Sequence, residues 1–109
     1  MARYMVQAAY TAEALAAFVS KPQDRAAGVR TLMERLGAQL DSFEFSLGEY
    51  DVMATYTAPD DTTATAVALA ISAAGHLKSF KTTKLLSPEE FLAASQKASG
   101  VSYQAPARG

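Results

Sequence analysis

Glu49, Tyr50 and Asp51 stand together in GEYDVMATYTAPDD, the stretch from Gly48 to Asp61. In an extended chain Glu49 and Asp51 point the same way. Two neighbouring carboxylates can split their pKa values and divide acid and base work between them. Tyr50, at the start of a strand, has a hydroxyl able to reach a cavity mouth. His76 is the only histidine and a third acid–base candidate near neutral pH. Each has a simpler use. A Gly-Glu connection between strands is turn chemistry, and Asp51 can accept hydrogen bonds from backbone amides in the turn. His76 follows the helix stop Gly75, where it can cap carbonyl groups. Asp60 is a helix cap.

Charge is unevenly placed around these residues. Asp41, Glu44, Glu49, Asp51, Asp60 and Asp61 fall in residues 38–61 with no lysine or arginine, and Lys78, Lys81 and Lys84 fall in residues 62–88 with no acid. Lysines on one strand can hold an anion or pair across a subunit boundary, or protect a solvated edge strand. Arg25, in the first turn of its helix, can pair with Asp51 or with a ligand carboxylate. The expected ligand-binding set is Tyr10, Arg25, Tyr50, Asp51 and Lys81, in a cleft between helices and sheet or inside a barrel. The catalytic candidates are Tyr50, Asp51 and His76.

Positioning these side chains requires a folded scaffold. A chain of 109 residues, half of them hydrophobic and 19% charged, has the composition of one globular domain. Ten basic and eleven acidic residues give a net charge of −1, which argues against nucleic acid as a partner. The absence of cysteine removes disulfides, thiolate nucleophiles and cysteine metal sites. With a lone histidine, no metal or haem site and no cofactor are expected. Gln7, Thr11 and Glu13 interrupt the N-terminal apolar residues, so neither a signal peptide nor a membrane span is expected. The cytoplasm is the expected location.

Alternation marks strands over Arg3–Tyr10, Gln39–Leu47, Tyr50–Ala58 and His76–Leu86, with a bulge near Ser42. Thr11 opens a helix through Phe18. Ser20 and Gln23 have capping-box spacing for a second, in which Val29, Leu32, Met33 and Leu36 repeat at helical spacing up to Gly37. Pro59-Asp60-Asp61 opens a helix to Ala74, stopped by Gly75, and Ser87-Pro88-Glu89-Glu90 opens the last. The order is β-α-β-β-α-β plus a C-terminal helix: an α+β, ferredoxin-like chain with a four-stranded antiparallel sheet. Residues 1–100 form the domain, and 101–109 are a tail that is mobile or packed on a partner. Both sheet faces carry apolar groups, with Met5, Ala9 and Met53 opposite Tyr4, Val6 and Tyr56. The expected assembly is therefore a homodimer with the two sheets face to face.

The same stretches carry a family resemblance. GEYDVMATYTAPDD, with AISAAGHLKSFKTTKLLSPEEF downstream and RYMVQAAYTAEALAAF upstream, resembles the GYD-domain family of small bacterial proteins over residues 3–95. Ala14, where the family usually has glycine, and His76, where a small or apolar residue is more usual, depart from it. The resemblance implies the dimeric α/β-barrel type of ferredoxin-like fold. Related barrels include cofactor-free monooxygenases, isomerases, cyclases, haem-handling enzymes and ligand-sensing domains, so it implies a fold more than an activity. Three functions follow as expectations: an oligomeric small-molecule binding module, a cofactor-independent enzyme acting on a small aromatic or carbonyl compound, or a structural adaptor without pocket chemistry.

Overall fold

A computed structural model describes residues 1–107 of the chain; the last two positions of the 101–109 tail lie outside the described residues. The elements run β1 (Ala2–Tyr10), α1 (Ala12–Ser20), α2 (Arg25–Arg35), β2 (Gln39–Phe45), β3 (Val52–Ala58), α3 (Asp61–Ala73), β4 (Leu77–Leu85) and α4 (Pro88–Ser99). The four strands form one antiparallel sheet in the order β2-β3-β1-β4. This is the ferredoxin-like α+β arrangement, with the first crossover divided between α1 and α2.

The two-residue period of the strands sorts their side chains onto two faces. Tyr4, Val6, Ala8 and Tyr10 of β1 and Val52, Ala54 and Tyr56 of β3 are buried, and they form one core with Met33 of α2 and Val67 of α3. The opposite face is mixed. Met5 lies between Thr55 and Thr83, and Gln7 between Met53 and Lys81. Two register shifts interrupt the ladders. One falls between Leu40 and Ser42, at the bulge expected from sequence, and the other between Ala9 and Tyr10 on the β4 side.

Helix boundaries follow local chemistry, with one correction. Ser20 and Gln23 do not form the capping box expected for the second helix. Asp24 is its N-cap, accepting from Ala27 N at 3.2 Å. Ser20 ends α1 instead, its hydroxyl donating to the Ala17 carbonyl. An aspartate satisfies the free N–H groups of the first turn as well as a serine does, and it lets Pro22 stay outside the helix. Gly37 and Gly75 stop α2 and α3 at φ +85° and +75°, a region that glycine enters without steric cost.

The β2–β3 connection is longer than a tight Gly-Glu turn, because regular pairing stops at Phe45 and resumes at Val52. It closes through Ser46 N donating to the Asp51 carbonyl at 2.8 Å. The reciprocal capping box expected for α4 is present: Glu90 N donates to Ser87 Oγ, and Ser87 N to Glu90 Oε1. Helix α4 buries none of its residues. The chain extends 58 Å along its longest axis with a radius of gyration of 18.0 Å, against about 13 Å for a compact domain of 100 residues. No helix among the described residues is long and apolar enough to cross a membrane.

Candidate functional site

Strand β1 ends where the sheet opens. Beyond Ala8, whose carbonyl accepts from Asp51 N at 2.8 Å, β3 offers no further backbone partner in the ladder. The Asp51 side chain takes that place: its Oδ2 accepts from Tyr10 N at 2.9 Å. A backbone donor at an irregular strand end is thereby satisfied. On the other side, Thr11 N donates to the His76 carbonyl at 3.0 Å. Those two bonds fix the end of β1 between the start of β3 and the start of β4.

Tyr10 is thereby held under a small aromatic cluster. Phe18 of α1 meets its ring edge-on at 4.8 Å between centroids, and His76 lies at 5.9 Å. Arg25, the first residue of α2, arches over the same place. Its Nη1 donates to Gln23 Oε1 at 3.3 Å and lies 3.6 Å from where a Gly28 Cβ would be. Helices α1, α3 and α4 have acids in their first turn, whereas α2 has none and begins with this arginine. A cation there opposes the helix dipole.

Arg25 and His76 join three hollows. A cavity of about 30 Å³ lies under them, walled by Tyr10, Val29, Met33, Ile71 and Phe80 among others. A groove of about 110 Å³ runs between α2 and α3 past Gly28 and Ala70. A second groove, about 220 Å³, runs along α1 past Ala14, Ala17 and Phe18. The walls are mainly apolar. Burial, and then the nearby Arg25 charge, lower the pKa of His76 from its ordinary 6.5, so the imidazole is neutral at pH 7. Burial raises the pKa of the Tyr10 phenol despite the nearby charge of Arg25, which lowers it; Asp51 adds to the rise.

Residues 4–94, from β1 into α4, match the family model of the GYD domain. The chain belongs to the GYD domain family. Among solved structures, an uncharacterized NIPSNAP domain protein from Burkholderia xenovorans is 16% identical over 80% of this chain and 94% of that one, with a TM-score of 0.45. No curated protein matches the chain.

In this GYD domain the sequence-predicted residues separate into two groups. Tyr10 and Arg25 come together, and His76 joins them. Asp51, second acid of the GEYD stretch, touches the group only through the backbone of Tyr10. Tyr50 lies in the β2–β3 connection, its carbonyl accepting from Ser46 Oγ at 2.5 Å, and lines none of the three hollows. Lys81 is exposed on the outer sheet face opposite Gln7. Phe18, Val29, Ile71 and Phe80 were outside the expected set. As ordinary core residues at helical or strand spacing, they carry no local signal of a site.

A second polar cluster stands at the other end of the sheet. The Tyr4 hydroxyl donates to Asp61 Oδ1 at 2.5 Å, and Lys84 Nζ lies 3.0 Å from the same oxygen. The hydrogen bond to Asp61, followed by burial, pushes the Tyr4 pKa up to about 12. This group ties the start of α3 to β1 and β4. A hollow of about 260 Å³ beside it is lined by the same three residues together with Ala64, Thr65, Ala68 and Thr82, and the charged groups on its wall are already paired with each other. Among the described residues no three His, Cys, Asp or Glu side chains gather to hold a metal ion.

Proposed function

We propose that this GYD-domain protein is an oligomeric small-molecule binding module whose ligand enters at Arg25 and His76. The observation that carries the reading is the meeting of one internal cavity and two grooves at those two side chains. Apolar concavity with a few convergent polar groups is the usual form of a ligand site. The 30 Å³ cavity has room for little more than a water molecule, so most of the ligand would lie in the grooves.

Catalysis is the second reading, and His76 favours it specifically. Its neutral imidazole stands beside the mouth and can accept a proton there. Asp51 is less suited to that task, because its carboxylate is engaged by Tyr10 N.

The oligomer is supported by surfaces that a single chain leaves uncovered. Phe91 and Leu92 of α4 are 67% and 58% exposed, and Met53 on the outer sheet face is 40% exposed. A 12-residue helix is marginal in water without packing, and a second copy would bury these side chains in a symmetric exchange. Native mass spectrometry of the protein purified from its source tests both parts. A dimer or larger species carrying extra small-molecule mass is the expected result. A monomer without bound mass would contradict it.

A further inference from the structure

The charge at the mouth indicates the class of ligand. Arg25 is half-buried and lines all three hollows, yet among the described residues its guanidinium meets no carboxylate. Its one side-chain hydrogen bond there is to the neutral amide of Gln23. Asp51, the acid that the sequence offers as a partner for Arg25, has its Oδ2 on the Tyr10 amide instead. Lys84, by contrast, has Asp61 at 3.0 Å. A partly desolvated arginine beside an apolar groove, with five donors in a rigid fork, suits a planar carboxylate.

The larger groove sets the body of that ligand. Its volume of about 220 Å³ exceeds the roughly 150 Å³ of an engineered cavity that binds benzene. Phe18 and His76 supply aromatic faces on its wall, and aromatic rings prefer offset or edge-to-face contact with them. Resting on the small-molecule reading above, we propose that the site takes a small aromatic carboxylate. The carboxylate would sit on Arg25, and the ring would lie along α1 between Phe18 and His76. Nothing in this requires Tyr50, Asp51 or Lys81 to touch the ligand.

Benzoate and its neutral near-isostere benzamide, titrated by ligand-observed NMR against the intact protein, Arg25→Gln and Arg25→Lys, test the proposal. Wild-type protein should bind benzoate about fivefold more tightly than benzamide at low salt, a factor typical of a partly exposed ion pair. Arg25→Gln should remove the preference and Arg25→Lys should keep most of it, while added salt should shrink it. Circular dichroism of each variant checks that it is folded. Equal binding of the two probes would overturn the carboxylate assignment and leave the ligand site standing. A benzoate preference that survives in Arg25→Gln would overturn the role of Arg25. Absence of binding by both probes would overturn the site itself together with this inference.

Discussion

The carboxylate of Asp51 and the backbone N–H of Tyr10, 41 residues apart in sequence, meet at 2.9 Å. The second acid of the GEYD stretch thus closes a gap in a β-ladder and fixes the strand end whose tyrosine lines the cavity under Arg25 and His76.

Asp51→Ala should therefore act on stability first. It leaves a partly buried amide without its acceptor and removes a hydrogen bond to a charged group, a loss of about 1–3 kcal/mol. Asp51→Asn keeps an acceptor oxygen and should lose less than half of that. Urea denaturation of both variants measures the difference. Wild-type stability in Asp51→Ala would show that the bond is dispensable.

His76 should make stability depend on pH in a narrow window. Its folded pKa is lowered, first by burial and then by Arg25, so below 6.5 the unfolded chain takes up a proton that the folded chain resists. Stability is fully present above about 6.5 and is lost as pH falls toward the folded value. His76→Gln should flatten this part of the curve. The carboxylates Asp60, Asp61 and Glu90, all lowered by hydrogen bonds, act in a separate and more acidic window. Urea midpoints between pH 5 and 7.5 distinguish the two.

Much of the fold was legible because strands advertise their faces. The alternation of Tyr4, Val6 and Ala8 against Met5 and Gln7 assigned β1, and two glycines marked the ends of α2 and α3. The second helix start was harder. Ser20 and Asp24 both have capping chemistry, and only the path of the chain around Pro22 decides between them. The site was half legible. Tyr10 and Arg25 stood out as a phenol at a strand end and a cation at a helix start. That His76 would meet them depends on β4 pairing with β1, which no local pattern records. The position of Lys81 depends on the same pairing: it shares a strand with groups near Arg25 and His76, but its register with Gln7 places it on the other face.

Tyr4 should ionise late and resist alkaline titration. Its hydroxyl donates to Asp61, and its pKa is pushed up to about 12 from 10.0. Between those values the unfolded chain loses this proton and the folded chain keeps it, so stability falls as pH rises through that range. Tyr4→Phe should remove this share of the alkaline loss, read as a smaller change in urea midpoint between pH 9.5 and 11.5.

Tyr56 should be improvable. It is fully buried, and its hydroxyl has no hydrogen-bond partner among the described residues, an arrangement that costs about 1–3 kcal/mol. Tyr56→Phe keeps the ring stacked on Tyr4, now 5.2 Å between centroids, and removes the unpaired group. The variant should gain about 1 kcal/mol in thermal or urea denaturation. A loss of stability would mean that the hydroxyl has a partner in solution.

The proposed placement of a ligand at Arg25 and His76 is tested most directly by mapping amide chemical shifts in isotope-labelled protein as benzoate is added. Shifts concentrated at Tyr10, Phe18, Arg25, Gly28, His76 and Leu77 are the expected result. Shifts confined to Tyr50 and Asp51, or to the outer sheet face around Met5, Met53 and Lys81, would contradict it.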